Sequence, residues 1–102
     1  MLRDVVDHGA RLLDSALPGW SRRVDPDTLD MASCDRCVLG QVCGGFIDGL
    51  EFVVEHIDRE VPGSSIGFDP RMYGFAAKVR QDYGDLTSGW REAVHDRLAS
   101  GD

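Results

Sequence analysis

Leu29-Asp-Met-Ala-Ser-Cys-Asp-Arg-Cys-Val-Leu-Gly-Gln-Val-Cys-Gly44 holds all three cysteines of the chain and its densest local structural signals. Ser33 is placed to act as an N-cap, its hydroxyl accepting from an amide near Arg36. Asp35 then falls where the positive end of a helix dipole favours a carboxylate. The expectation is a helix that starts at Ser33 and stops at Gly44-Gly45. Cys37, Val38, Gln41 and Val42 share one side of it at three- and four-residue spacing, with Leu39 and Cys43 on another flank. A short helix with apolar or weakly polar groups around most of its circumference belongs among buried neighbours.

Towards the N-terminus, residues 3 to 17 carry a clear helical period. Leu2, Val5, Val6, Ala10, Leu13 and Leu17 fall on one side, with Arg3, Asp4, Asp7, Arg11 and Asp14 largely on the other. Pro18-Gly19 stops that helix, and Trp20 is expected to fold back on it. Arg22 and Arg23 read as solvent-exposed, and Asp25-Pro26 as a cap followed by a single turn, with Leu29 and Met31 pointing inward.

Towards the C-terminus, Phe46, Ile47, Leu50, Val53, Val54 and Ile57 predict a helix over residues 46 to 60, with Asp48, Glu51, Glu55, Asp58 and Arg59 towards water. The stretch from Pro62 to Pro70 is a turn-rich loop in which Ile66 and Phe68 are the expected anchors. Asp69-Pro70 repeats the cap-and-proline signature. Met72, Ala76, Val79, Tyr83, Leu86, Trp90, Ala93 and Arg97 then follow in steps of mostly three and four. That pattern predicts one long helix, or two collinear ones broken between Gly84 and Ser88, where Asp85, Thr87 or Ser88 would recap the second. The fold class is therefore all-α: a compact single domain over residues 1–102, a bundle of four to five helices with the short Cys37 helix central. The first and last helices are expected to pack against it.

A chain of 102 residues with a formal charge of −7 forms one domain and lacks the excess of cations that nucleic-acid binding needs. No run is apolar for the roughly eighteen residues of a membrane span, and the N-terminus lacks the apolar block of a signal peptide. A cytoplasmic protein with neither nucleic acid nor membrane as partner is the expectation. The odd cysteine count agrees, since a disulfide-stapled domain would leave one thiol over.

Cys34, Cys37, Cys43 and His56 supply, on paper, the ligand types of a zinc site. On a continuous helix Cys34 and Cys43 would point to opposite sides, so the sulfurs would not converge. Cys34-x-x-Cys37 also has the form of a redox pair, although no strand pattern leads into it. His8, His56 and His95 each sit among charged residues on a predicted helix and read as solvated. There is no nucleophile elbow, and Gly63-Ser-Ser-Ile-Gly67 lacks the strand and the lysine of a phosphate loop. No catalytic, cofactor-binding or metal residue is therefore assigned, and the chain is not read as an enzyme. Tyr83 and Trp90 share the final helical stripe and are either core or an exposed aromatic anchor for a partner. Gln41, polar on an apolar helix, is expected to bond the backbone of the Trp20 to Leu29 connection.

Gly9-Ala-Arg-Leu-Leu-Asp14, Pro18-Gly-Trp20, Leu29-Asp-Met31, Cys37-Val-Leu-Gly-Gln41, Gly67-Phe68 and Leu86-x-x-x-Trp90, in that order and over nearly the full length, resemble a family of small proteins encoded by actinobacterial bacteriophages and sometimes by their hosts. The resemblance implies a phage or prophage accessory protein of the bacterial cytoplasm and carries no activity with it. It also implies that Cys37 is the family's cysteine and that Cys34 and Cys43 are departures. A composition with ten times more arginine than lysine, Lys78 being the only lysine, fits such a source. The functional expectation is a non-catalytic module that binds a host or phage protein through an acidic or aromatic surface, with a homodimer left open. The alternative is a small zinc module using Cys34, Cys37, Cys43 and His56.

Overall fold

A computed structural model describes residues 2–100; the side chain of Leu2, expected on the core side, lies outside the described residues. Among the described residues four α-helices run in order: α1 (Leu2–Ala16), α2 (Val38–Cys43), α3 (Phe46–Glu60) and α4 (Tyr83–Ala99). Single 3-10 turns at Trp20–Arg23, Pro70–Tyr73 and Arg80–Asp82 shape the connections, and there is no strand among the described residues. The chain is one all-α domain with a radius of gyration of 12.5 Å.

Its centre is built from Leu13, Trp20, Val38, Leu39, Val53, Phe75, Leu86, Trp90 and Val94, all fully buried. The expected inward residues of the first helix, Val6, Ala10 and Leu13, are buried, as are Leu29 and Met31. Trp90 organises this interior. Phe75 stacks on it at 5.6 Å, Trp20 meets it edge-on at 5.7 Å, and its Nε1 donates to Gly74 O at 2.6 Å. An indole buried with its one donor satisfied has none of the desolvation penalty of an orphaned N–H.

Two helix pairs surround that centre. α1 packs mainly on α4, and α2 mainly on α3, so the first and last helices meet each other more than they meet the cysteine helix. Glycine decides both approaches. A Cβ on Gly9 would run into the carbonyl oxygen of Tyr73 and lie 2.8 Å from the Trp90 ring, and one on Gly49 would lie 2.6 Å from Leu39 Cβ.

Three expectations change at this level. The long C-terminal pattern breaks between Gly74 and Val79 instead of between Gly84 and Ser88. Gly74 takes the left-handed conformation (φ 70°) after the Pro70 turn and Phe75 N bonds back to Pro70 O, which turns Phe75 into the core. α4 then runs unbroken from Tyr83 through Gly84 and Gly89. In α3 the buried line is Gly49, Val53 and His56, while Ile47 is 63% exposed. Seating Leu39 against Gly49 sets that rotation and swings Ile47 outward. Finally, Phe68 anchors the 62–70 loop by stacking on Tyr73 at 5.1 Å, but Ile66 is 87% exposed.

Candidate functional site

The cysteine segment differs from its expectation at its start. Ser33 Oγ does accept from Arg36 N, at 3.1 Å, and from Asp35 N, at 3.3 Å, but it closes a separate turn. The helix begins later, at Val38, and its N-cap is Cys37, whose Sγ accepts from Gly40 N at 3.2 Å. The chain can double back here because Gly40 has no side chain: a Cβ would collide with the carbonyl oxygen of Cys34 and approach the Asp35 backbone to 2.6 Å. Continuing the helix back to Ser33 would forfeit that packing.

The thiols consequently live in three environments. Cys34 is exposed, Cys37 is buried and Cys43 is half-buried; all three are free. Burial pushes the Cys37 thiol up, against the lowering effect of the Gly40 and Leu39 amides. Burial also pushes Cys43 up, with Arg23 opposing and Asp48 reinforcing. Cys34 lies a turn ahead of α2, so the helix-terminal placement that activates a Cys-x-x-Cys thiol is not formed.

Cys34, Cys37, Cys43 and His56 are not brought together. Among the described residues no three His, Cys, Asp or Glu side chains are grouped so as to hold a metal ion. His56 departs from its solvated expectation: it is buried between α3 and α1, with Nε2 3.2 Å from Ser15 Oγ and 3.8 Å from Glu60 Oε1. Both partners meet the same ring nitrogen, whereas a nucleophile relay places the acid on the opposite one. His8 and His95 are exposed, as expected.

Gln41 behaves as its position predicts. Its Oε1 accepts from Asp25 N at 2.6 Å, and its Nε2 donates to Asp25 O at 3.3 Å and to Arg36 O at 3.0 Å. Two further clamps on the same connection escaped the sequence pattern. Thr87 Oγ1 accepts from Met31 N at 2.9 Å while donating to Tyr83 O at 2.8 Å, and Arg91 Nε donates to Pro26 O at 2.9 Å. Thr87 stood out only as a cap candidate, and nothing local marks Arg91.

Asp14 is exposed, as its place on the outer side of α1 implies, and it also joins α1 to α4. It accepts from Trp20 Nε1 at 2.9 Å and from Arg97 Nε and Nη2 at 2.9 and 2.7 Å. The Arg97 guanidinium, above all, holds its carboxyl below the usual aspartate range; partial burial opposes this and the Trp20 indole adds to it. Arg97 also lies over the Trp20 ring, 5.5 Å from its centroid.

The outer surface has two notable features. Trp90 is buried and Tyr83 half-buried, so the aromatic stripe of the last helix is core and is not offered to a partner. Instead, Ile57, Ile66, Phe68, Met72 and Tyr73 line an open groove of about 280 Å³. On α3, Asp48, Glu51 and Glu55 face solvent, and among the described residues none of them is in an ion pair.

Together these features define a compact all-α domain whose conspicuous polar side chains, Gln41, His56, Thr87, Asp14 and Arg97, tie one segment to another. Among the described residues no helix is long and apolar enough to cross a membrane. Comparison with known protein families, with curated proteins and with solved structures finds no match to this chain.

Proposed function

We propose that this chain is a phage or prophage accessory protein that works without catalysis, binding a host or phage protein in the bacterial cytoplasm. The observation that carries the reading is the exposure of large apolar side chains on hydrogen-bonded elements. Ile66 is 87% and Met72 52% exposed, beside half-buried Phe68 and Tyr73. The loop bearing Ile66 is held by Ser64 Oγ to Ile57 O at 3.1 Å, Ser65 N to Asp58 Oδ1 at 3.0 Å and Phe68 N to Ser65 O at 2.9 Å. Ordered apolar groups kept in water over a contiguous area are characteristic of surfaces that a partner covers.

Charge supports the same reading. A net −7 on a domain this small disfavours self-association and favours basic partners, whose approach it accelerates. The test is affinity capture from an actinobacterial lysate with the full chain as bait, across a salt series. A protein retained at low salt and released as salt rises is the expected result. No retained protein at any salt would remove the reading.

A further inference from the structure

Beside its buried face α3 carries a second apolar line that the core covers only in part. Gly49, Val53 and His56 are buried inside the domain. At about 100° per residue, Ile47, Leu50, Val54 and Ile57 form a second line roughly a third of a turn away. Ile47 is 63% exposed, Val54 and Ile57 are half-buried, and Leu50 is half-buried with its inner side packed on the core. At its C-terminal end the line opens into the groove that Ile57 shares with Ile66 and Met72. Immediately beside it stand the exposed carboxylates of Asp48, Glu51 and Glu55, spaced by three and four residues like the apolar line itself.

We propose that this face of α3 docks a basic amphipathic helix of a partner protein. The partner's apolar stripe would lie along Ile47, Val54 and Ile57, over the outer edge of Leu50, and its Lys or Arg side chains over Asp48, Glu51 and Glu55. The inference rests on the interaction reading above and assigns it a surface and a partner chemistry. α3 has 15 residues, about 22 Å, which accommodates about four turns of a second helix. Rows of side chains at three- and four-residue spacing are what helix packing interdigitates.

Charge selects the occupant. The apolar line alone would accept a second copy of this chain, but pairing α3 with α3 sets two carboxylate rows against each other on molecules that each carry −7. Like charges across an interface oppose association, whereas a cationic helix turns the same carboxylates into attraction.

The test titrates the full chain with a synthetic helix of about four turns, leucine on one face and lysine on the other, while following backbone amide shifts. The expected result is shifts confined to α3 and the 61–70 loop. Binding should fall by about tenfold or more in Ile47→Asp, at an exposed position that leaves the fold intact. The triple variant Asp48→Asn/Glu51→Gln/Glu55→Gln should lose affinity and most of its salt dependence. A peptide with glutamate in place of lysine should not bind.

Shifts centred elsewhere, unchanged affinity in both variants, or a dimer of the parent chain that Ile47→Asp dissolves would each overturn the proposal. A lysate protein captured equally by the parent and by Ile47→Asp would overturn this surface and leave the interaction reading standing. Loss of capture with Ile47→Asp would support both. If neither form captures a protein, the interaction reading itself falls, whatever the synthetic helix does.

Discussion

Gln41 and Asp25, sixteen residues apart, exchange two hydrogen bonds: Oε1 accepts from Asp25 N at 2.6 Å and Nε2 donates to Asp25 O at 3.3 Å. One side chain thus does for a single residue of irregular backbone what a neighbouring strand would do for a sheet edge. With Thr87 holding Met31 N and Arg91 holding Pro26 O, it ties a connection that has only short turns of its own to α2 and α4. Buried Leu29 and Met31 can then sit in the core without a helix or strand around them.

Removing that clamp should be costly. Gln41→Ala is expected to lower stability by about 0.5–1.5 kcal/mol, because it removes the hydrogen bonds to the exposed Asp25 backbone and trims a half-buried side chain. Gln41→Glu should cost at least as much near neutral pH, since its carboxylate cannot donate to the Asp25 and Arg36 carbonyls. Urea unfolding followed by tryptophan fluorescence measures both, and a parent-like midpoint for Gln41→Ala would contradict the clamp.

Two glycine substitutions should act in opposite directions. Gly9→Ala places a methyl group against the carbonyl oxygen of Tyr73 and within 2.8 Å of the Trp90 ring. The backbone cannot yield there without separating α1 from α4, so a loss on the order of 3 kcal/mol is expected. Gly84 sits in the first turn of α4 with nothing within 4 Å of an added Cβ. Gly84→Ala should raise stability by about 0.5–1 kcal/mol, through helix propensity alone. Thermal unfolding of the pair compares them directly.

Legibility in the sequence followed the range of the interaction that fixes each element. α3 could be read to its ends, Phe46–Glu60, because its period, its glycine start and its charged outer residues are all local. The same pattern placed Phe46, Leu50 and Val53 against the core correctly but misjudged Ile47, since that rotation depends on Leu39 seating against Gly49. The C-terminal pattern was misleading over residues 72 to 79 for a similar reason. Its spacing suits a helix, but Gly74 reverses the chain so that Phe75 can stack on Trp90. Gln41 was foreseeable because a polar group on an apolar helix must find partners. Arg91 and the Asp14–Arg97 pair were not, since each spans more than sixty residues. The surface proposed for docking is half legible: the carboxylates of α3 show in the pattern, but the exposure of Ile47 and Ile66 does not.

Acid should weaken the contact between α1 and α4 through Asp14. Its folded carboxyl titrates below the ordinary aspartate value near 3.8, chiefly because Arg97 bonds to it. A group depressed on folding contributes fully above its unfolded value, and the contribution fades as pH falls through the lower folded value. Stability should therefore hold from neutral pH down to about pH 4 as far as this group is concerned, then decline. Asp14→Asn removes that part of the acid limb while keeping an acceptor for Trp20 Nε1. Comparing urea midpoints of parent and variant between neutral and acid pH isolates the effect: the gap between them should be widest at neutral pH and close in acid. A gap that persists unchanged below the ordinary aspartate value would show that the Arg97 contact does not depend on the Asp14 charge.

The three thiols should separate cleanly by reactivity. At mildly alkaline pH and in the absence of denaturant, Cys34, exposed in its turn, is expected to react first with a thiol reagent. Cys43 should follow more slowly, because it is half-buried and burial raises its thiol. Cys37 should wait for unfolding: it is buried, its sulfur caps α2 by accepting from Gly40 N, and burial keeps it protonated. Mass-resolved labelling over time distinguishes the order, and in Cys34→Ser the fast phase should vanish while the slowest phase keeps the rate of global unfolding. A Cys37 that labels as quickly as Cys34 would mean that the turn from Ser33 to Cys37 opens independently of the core. The Gly40 contact with the Cys34 carbonyl would then not hold that turn in place.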